Sequence, residues 1–277
     1  AQRWGTDHHE LVLQPEDLLR DLLKMVWSLD EPYGGGLPSW YVFQFMQQDV
    51  KVGMTGTGGD ELFGDYGRYV QLEQRTAPGT QATPLPAWLE RGWLLVESLV
   101  DQLPHGIGGL RRKERWRHYP QVRRDLFGWD YVQAFYYLSE SMKRNEVLAP
   151  PSDGRIIQDT MELLREQYRE SQSEQPRDAV MHLAMRTQLP EEFLFMTDRF
   201  SMAHSLEARV PFLDHLFVEA VMRIPAQIRT KPEDPKYLLR QALRDLLPDD
   251  LLQAPKRGFV IPTAQWLRGP LRPLAER

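Results

Sequence analysis

An α/β fold with a large helical remainder is what the sequence predicts, and three observations carry it. Two short apolar runs, Glu10–Leu13 and Val50–Met54, have the length and composition of buried strands. Helical patterns lie between them. A glycine-rich loop follows the second run at once, so strand, helix, strand, loop and helix come in the order that builds α/β units.

The first helix is read from Pro15, which suits the first helical turn, with Glu16 and Asp17 at the positive end of the dipole. Leu18, Leu19, Leu22, Leu23, Val26 and Trp27 recur at helical spacing, so one stripe is expected to face a core as far as Leu29. A second helix is expected over Pro38–Gln48, with Trp40, Tyr41, Phe43, Phe45 and Met46 along it. After Val50–Met54 and its loop, the α/β part is expected to end near residue 76. Three prolines and a glycine in Thr76–Pro86 mark a loop. Residues 77–277 are then read as a helical part. It contains a polar loop at Glu170–Arg177 and a helix begun by Pro190, Glu191 and Glu192 that runs through Phe193, Leu194 and Met196. Asp214 is expected to cap a helix over His215–Arg223, which Pro225 closes. Pro235 is expected to open another over Lys236–Leu247.

Composition excludes several classes. The chain has 277 residues, 42% hydrophobic and 26% charged, enough to bury a core without staples. With 19 glycines and 21 prolines it is neither collagen-like nor low-complexity. It has no cysteine, so a disulfide framework, a cysteine-based zinc site and a cysteine nucleophile are out, and a cytoplasmic location is the expectation. A net charge of −5 argues against a nucleic-acid partner. The charge-free window Tyr33–Gln48 is too short and too polar for a membrane span. Arg3, Asp7 and Glu10 crowd the place where a signal peptide would be apolar. The chain starts at Ala1, without an initiator methionine, and reads like the inside of a protein.

The strongest chemical signal is Thr55-Gly56-Thr57-Gly58-Gly59-Asp60-Glu61-Leu62-Phe63-Gly64. Glycines after a strand let the backbone approach a ligand closely, and their amides can cradle a phosphate. A carboxylate beside such a cradle usually means Mg²⁺. No Gly-Lys-Ser/Thr follows, so this is not a Walker A loop, and Glu61 stands where a dinucleotide fingerprint needs glycine. The bland alternative is a tight turn with two acids opening a helix. A second signal is the run Asp198–Asp214, whose charges among apolar residues suggest buried ion pairs such as Glu207 with Arg209 or Asp198 with Arg199. A third is Pro255-Lys256-Arg257-Gly258-Phe259, where a lysine held in a loop can neutralise a transferring phosphoryl group or can be a solvated basic turn. Arg111–Arg117 with its interleaved Trp116 reads as an RNA surface or, more in keeping with the acidic net charge, as a solvated helix face. His8, His9 and Glu10 make no metal site if they lie in a strand, because adjacent side chains point to opposite faces. No serine sits in a Gly-x-Ser-x-Gly elbow.

Taken together, these segments resemble the synthetase domain of the glutamine-hydrolysing asparagine synthetase family. Thr55–Tyr66 resembles its glycine-rich acidic motif, and Asp198–His215 resembles its Asp-Arg-x-Ser-Met-Ala run. Lys236–Arg240, Pro255–Pro262 and Asp30-Glu31-Pro32 match further segments in order. The resemblance implies an adenine-nucleotide α-hydrolase-like, Rossmann-like parallel sheet, of which this chain would hold a remnant. It implies a carbon–nitrogen ligase of asparagine biosynthesis using ATP and Mg²⁺. On that resemblance an aspartate-like carboxylate would attack the α-phosphate, and ammonia from a glutamine-hydrolysing partner domain would then displace AMP. Matched residue by residue, Thr55, Gly56, Gly58 and Gly59 would border the nucleotide and its pyrophosphate. Asp60 would hold Mg²⁺–pyrophosphate, and Glu61 would lie near the amino-acid substrate and the ammonia. Lys256 would neutralise the phosphates, and Asp198 and Arg199 would sit on the substrate side.

Two departures stand out. The third position of the glycine loop is an acid in asparagine synthetases and is Thr57 here. The Ser-Gly-Gly-x-Asp-Ser pyrophosphate loop and the amino-terminal glutaminase domain of the family are both absent from this sequence. The chain is therefore expected to be amino-terminally incomplete and to turn over poorly alone. The alternatives are a divergent amidotransferase or cyclase acting on another carboxylate, and a non-catalytic interaction or regulatory paralogue. A homodimer is compatible with either.

Overall fold

The computed structural model describes residues 1, 3–31, 35–64, 66, 69, 160–231, 233–234, 236–255, 258–259 and 261–276. The basic cluster Arg111–Arg117 and Lys256 lie outside them. The described residues are mostly helical with one small parallel sheet. The chain divides into two compact units. The first is Ala1–Leu62, Gln188–Val221 and Leu243–Arg277, and the second is Phe63–Thr187 and Met222–Ala242.

In the first unit, helix α1 spans Pro15–Leu29. Pro15 sits in its first turn, and the Gln14 amide donates to the Asp17 carboxylate at 2.9 Å. The helix stops where Asp30 turns left-handed, at φ 58°. Its buried edge is Leu18, Asp21, Met25 and Leu29, which corrects the broader stripe read from the sequence: Leu23 is 81% exposed and Trp27 87%. The apolar arc of α1 is wider than the face it packs, and its inner edge includes a carboxylate. Asp21 is tolerated there because Arg20 and Lys24 reach it at 2.7 and 3.0 Å.

Helix α2, Leu37–Met46, is apolar nearly all round and is correspondingly buried, through Leu37, Trp40, Tyr41 and Phe43. Strand β1, Val52–Met54, pairs in parallel with β2, Glu207–Arg209, in the register Val52 to Glu207, Gly53 to Ala208 and Met54 to Arg209. A Cβ on Gly53 would meet the flexible end of the Met46 side chain, which packs over this strand. The run Glu10–Leu13, expected as a strand, is not one. Leu11 and Val12 are exposed, and only Leu13 packs on the core. A strand needs a neighbour for its backbone groups, and β1 takes that partner from a stretch read as helical, more than 150 residues away.

The short helix α3, Gly59–Phe63, follows β1 after the loop Thr55–Gly58. In the second unit, α4 (Thr160–Glu170) and α5 (Pro176–Arg186) pack together, and Val180, Met181, Leu183 and Ala184 of α5 form its core with Tyr69 and Ala226. Back in the first unit, a π-helical turn at Leu189–Leu194 leads into α6, Phe195–Ala203, which packs on α1, α2 and β2. Asp214 caps α7, His215–Met222, accepting from the Phe217 amide at 3.1 Å. Helix α8, Ala226–Arg229, belongs to the second unit. The helix expected over Lys236–Leu247 is shorter, α9 at Tyr237–Leu243, most of it in the same unit, and turns carry the chain on from there.

Candidate active site

The site is built on the exit of β1. The Thr55 amide donates to the Arg209 carbonyl at 2.8 Å, so the glycine loop leaves the sheet from the end of the β1–β2 ladder. The two strongest motifs of the sequence therefore meet at one backbone hydrogen bond. Across the loop, the Thr55 hydroxyl lies 3.1 Å from that of Thr57.

The glycines serve different ends. Gly58 has φ +92°, and a Cβ on it would overlap Leu213, whose Cγ would be 2.6 Å away. A Cβ on Gly59 would touch the Phe212 ring at 3.5 Å. These two let Phe212 and Leu213 of the second motif pack against the loop. Gly56 is exposed, and a Cβ there would meet nothing within 4 Å. Its backbone faces open space, which is where a ligand can approach.

Asp60 and Glu61 follow on α3. Asp60 is half-buried and Glu61 is 1% exposed. Among the described residues no group of three or more His, Cys, Asp or Glu side chains gathers as an all-protein metal cage. The donors at the loop are instead carboxylate and hydroxyl oxygens beside open backbone. That set suits Mg²⁺, which keeps most of its coordination for water and phosphate and takes one or two carboxylates from a protein.

Asp198 and Arg199 lie exposed on α6 and are not paired with each other; Arg199 instead stands 5.2 Å over the Phe195 ring. The expected Glu207–Arg209 pair forms, at 2.8 Å, but at the surface rather than buried. Neighbours on one face of a short exposed strand reach each other without desolvation, so this pair adds little stability. Just past the end of α6, the His204 ring centroid lies 4.3 Å from that of Trp40. Burial holds its imidazole below the ordinary range, with Asp21 pulling it up and Lys24 down.

One group of residues escaped the sequence reading. Arg177, taken there for the end of a polar loop, is buried and donates to the Thr230 hydroxyl at 2.8 Å. Asp178 pairs with the fully buried Arg229 at 2.7 Å. No sequence signal marks these contacts, because the partners are about 50 residues apart.

The asparagine synthase family model matches residues 1–277. The chain belongs to the asparagine synthase family. It is 28% identical to the Bacillus subtilis glutamine-hydrolysing asparagine synthetase 1 over 270 residues, which is 97% of this chain and 40% of that protein. It is 47% identical to the chicken glutamine-hydrolysing asparagine synthetase over 77 residues, 26% of this chain and 14% of that protein. It is also 24% identical to the Penicillium rubens amidase chyE over 282 residues, 96% of this chain and 41% of that protein. The chain thus spans about 40% of the length of curated relatives that it matches nearly throughout. Among the described residues no helix is long and apolar enough to cross a membrane.

Proposed function

We propose that this chain supplies the ATP-dependent, amide-forming part of an asparagine-synthetase-like carbon–nitrogen ligase. A substrate carboxylate oxygen attacks the α-phosphorus of ATP, the bond to the β-phosphate breaks, and pyrophosphate leaves. Ammonia then attacks the acyl carbon and AMP departs, leaving the amide. The observation that carries this reading is the loop Thr55–Gly58. It leaves the sheet with its backbone open at Gly56 and leads straight into Asp60 and Glu61.

Such a reaction is largely positioning and charge neutralisation. Thr55, Gly56, Gly58 and Gly59 border the phosphates, and Asp60 would hold Mg²⁺, whose chemistry there would be charge neutralisation of the phosphates. Glu61 faces the amine chemistry, and Lys256 screens the α-phosphate during attack. Asp198 and Arg199 serve the carboxylate side. The sheet that carries the loop is the adenine-nucleotide α-hydrolase type, and a reducing cytosol suits the chemistry. Turnover by the 277 residues alone is slow. The test is calorimetric titration of the chain with MgATP. Saturable binding that needs Mg²⁺ and weakens at least about tenfold in Asp60→Asn supports the proposal. Binding that is absent, or indifferent to Asp60→Asn, overturns it.

A second reading concerns only the acceptor. The Thr57 hydroxyl, engaged with Thr55, gives this loop no third carboxylate. That favours an acceptor other than aspartate, in line with the varied names of the relatives. Acceptor-dependent AMP formation with aspartate and with other small carboxylic acids separates the two.

A further inference from the structure

The loop between β1 and α3 has a packed side and an open one. Its residues Gly56 to Gly59 form a turn, closed by the Gly59 amide, which donates to the Gly56 carbonyl at 3.3 Å. Gly58 is the third residue of that turn, and its φ of +92° is a left-handed value that suits glycine there. Gly58 and Gly59 are both buried, and Leu213 and Phe212 fill the space beside them. Gly56 is exposed, and nothing lies within 4 Å of where its Cβ would be. The segment on the packed side is itself fixed along its length. The Arg209 carbonyl accepts from the Thr55 amide at 2.8 Å, and the Leu213 amide donates to the Val210 carbonyl at 2.9 Å. Asp214 then accepts from the Phe217 amide at 3.1 Å through its side chain and from the Val218 amide at 2.9 Å through its carbonyl. All of these residues belong to the first unit.

We infer that Leu213 is a positioning residue for this turn, and so for the open backbone at Gly56 and Thr57. This rests on the reading of the loop as a phosphate cradle given above. A backbone amide holds a phosphate oxygen only within a narrow range of distance and angle, so a cradle works only if its tilt is set before the ligand arrives. The bond at Thr55 fixes where the loop starts, and the bond from Gly59 to Gly56 fixes its curvature. Neither sets the tilt of the turn as a body. The Leu213 side chain meets the turn at Gly58, past its start and on the side away from the opening, and so opposes that tilt. Phe212 and the helix that follows add contacts of their own, but Leu213 backs the one residue of the turn whose φ is positive. Leu213→Ala leaves a gap behind the turn. Leu213→Met fills that gap again at nearly the same volume.

The experiment measures amide hydrogen exchange without nucleotide, MgATP titration and the urea midpoint on the full 277-residue chain. The variants are Leu213→Ala, Leu213→Met and, as a comparator, Met25→Ala, which truncates a side chain buried in α1 of the same unit. The reporter is the Gly59 amide, whose bond closes the turn. In Leu213→Ala, exchange at Gly59 is expected to rise about tenfold, and MgATP affinity to fall about tenfold. Leu213→Met is expected to restore both. Met25→Ala is expected to lower the urea midpoint at least as far, yet to leave Gly59 exchange and MgATP affinity at parent values. Parent-like exchange or parent-like affinity in Leu213→Ala overturns the inference, as does an equal loss in Met25→Ala, which would make both readouts mere reflections of stability. Should Leu213→Ala fail to fold, Leu213→Val, a smaller truncation, is read by the same criteria. A parent chain that never binds MgATP, with Gly59 loosened in Leu213→Ala, would sink the proposed function while supporting the hold of Leu213 on the turn.

Discussion

Leu213 occupies the space in which a Cβ on Gly58 would lie. Residues far apart in the chain thus interlock, and the glycine owes its place to protein packing and to its positive φ as much as to any ligand. Gly58→Ala combines backbone strain with overpacking and is expected to cost about 2–4 kcal/mol. Urea unfolding measures it. In a Leu213→Ala background the same substitution should cost clearly less, because the side chain it overlaps is gone.

The chemistry is expected to separate by residue. In single-turnover assays of AMP formation, Asp60→Asn and Lys256→Met should each lower the rate by at least about a hundredfold, the scale for removing one charge from a preorganised site. Glu61→Gln should weaken amide formation more than adenylation. Equal losses in both steps would contradict its assignment to the amine side.

The Asp178–Arg229 pair is expected to be costly to break. Burial pulls the Arg229 guanidinium below its ordinary value, and Asp178 opposes that pull. Asp178→Asn leaves a buried cation with a weaker partner and should cost about 3 kcal/mol in denaturant unfolding. A loss within the noise of a surface substitution would show that other groups already balance Arg229.

Two histidines set an acid limit on stability. His204 and His182 are both held below the ordinary value of 6.5, first by burial. Asp21 pulls His204 up and Lys24 down, while Arg186 pulls His182 down and Glu170 up. With folded values below unfolded ones, the unfolded chain takes up protons first as pH falls. Stability is therefore level above about pH 6.5 and declines as the pH drops from there through the folded values. Replacing His204 with Gln should flatten part of that decline, read as the urea midpoint at pH 7.5 against pH 5.5. A midpoint in the parent chain that holds level across this range would contradict it.

The legible parts of the fold were those with local causes. Pro15 with its acids, Asp214 as a cap, and Gly58 and Gly59 after an apolar run each act within a few residues, and α1, α7 and α3 begin where they indicate. What was not legible depends on distant partners. Glu207–Arg209 lies in a stretch that reads as helical until β1 offers it a ladder, and Glu10–Leu13 looks like a strand until no neighbour appears among the described residues. Period alone could not choose which edge of the apolar arc of α1 packs, and the presence of Asp21 on the inner edge ran against the hydrophobic rule. In the candidate site, the loop and its acids were visible as a contiguous motif. In the second unit, the contacts of Arg177 with Thr230 and of Asp178 with Arg229 were not, because each joins residues about 50 positions apart.

The central claim is that the carboxylate attacks the α-phosphate. It is tested most directly by single-turnover incubation of the chain, in excess over MgATP, with an acceptor acid labelled with ¹⁸O in its carboxylate and with ammonia. The account expects AMP and pyrophosphate, with ¹⁸O carried from the carboxylate into AMP. ADP with inorganic phosphate, or AMP without label, would contradict it.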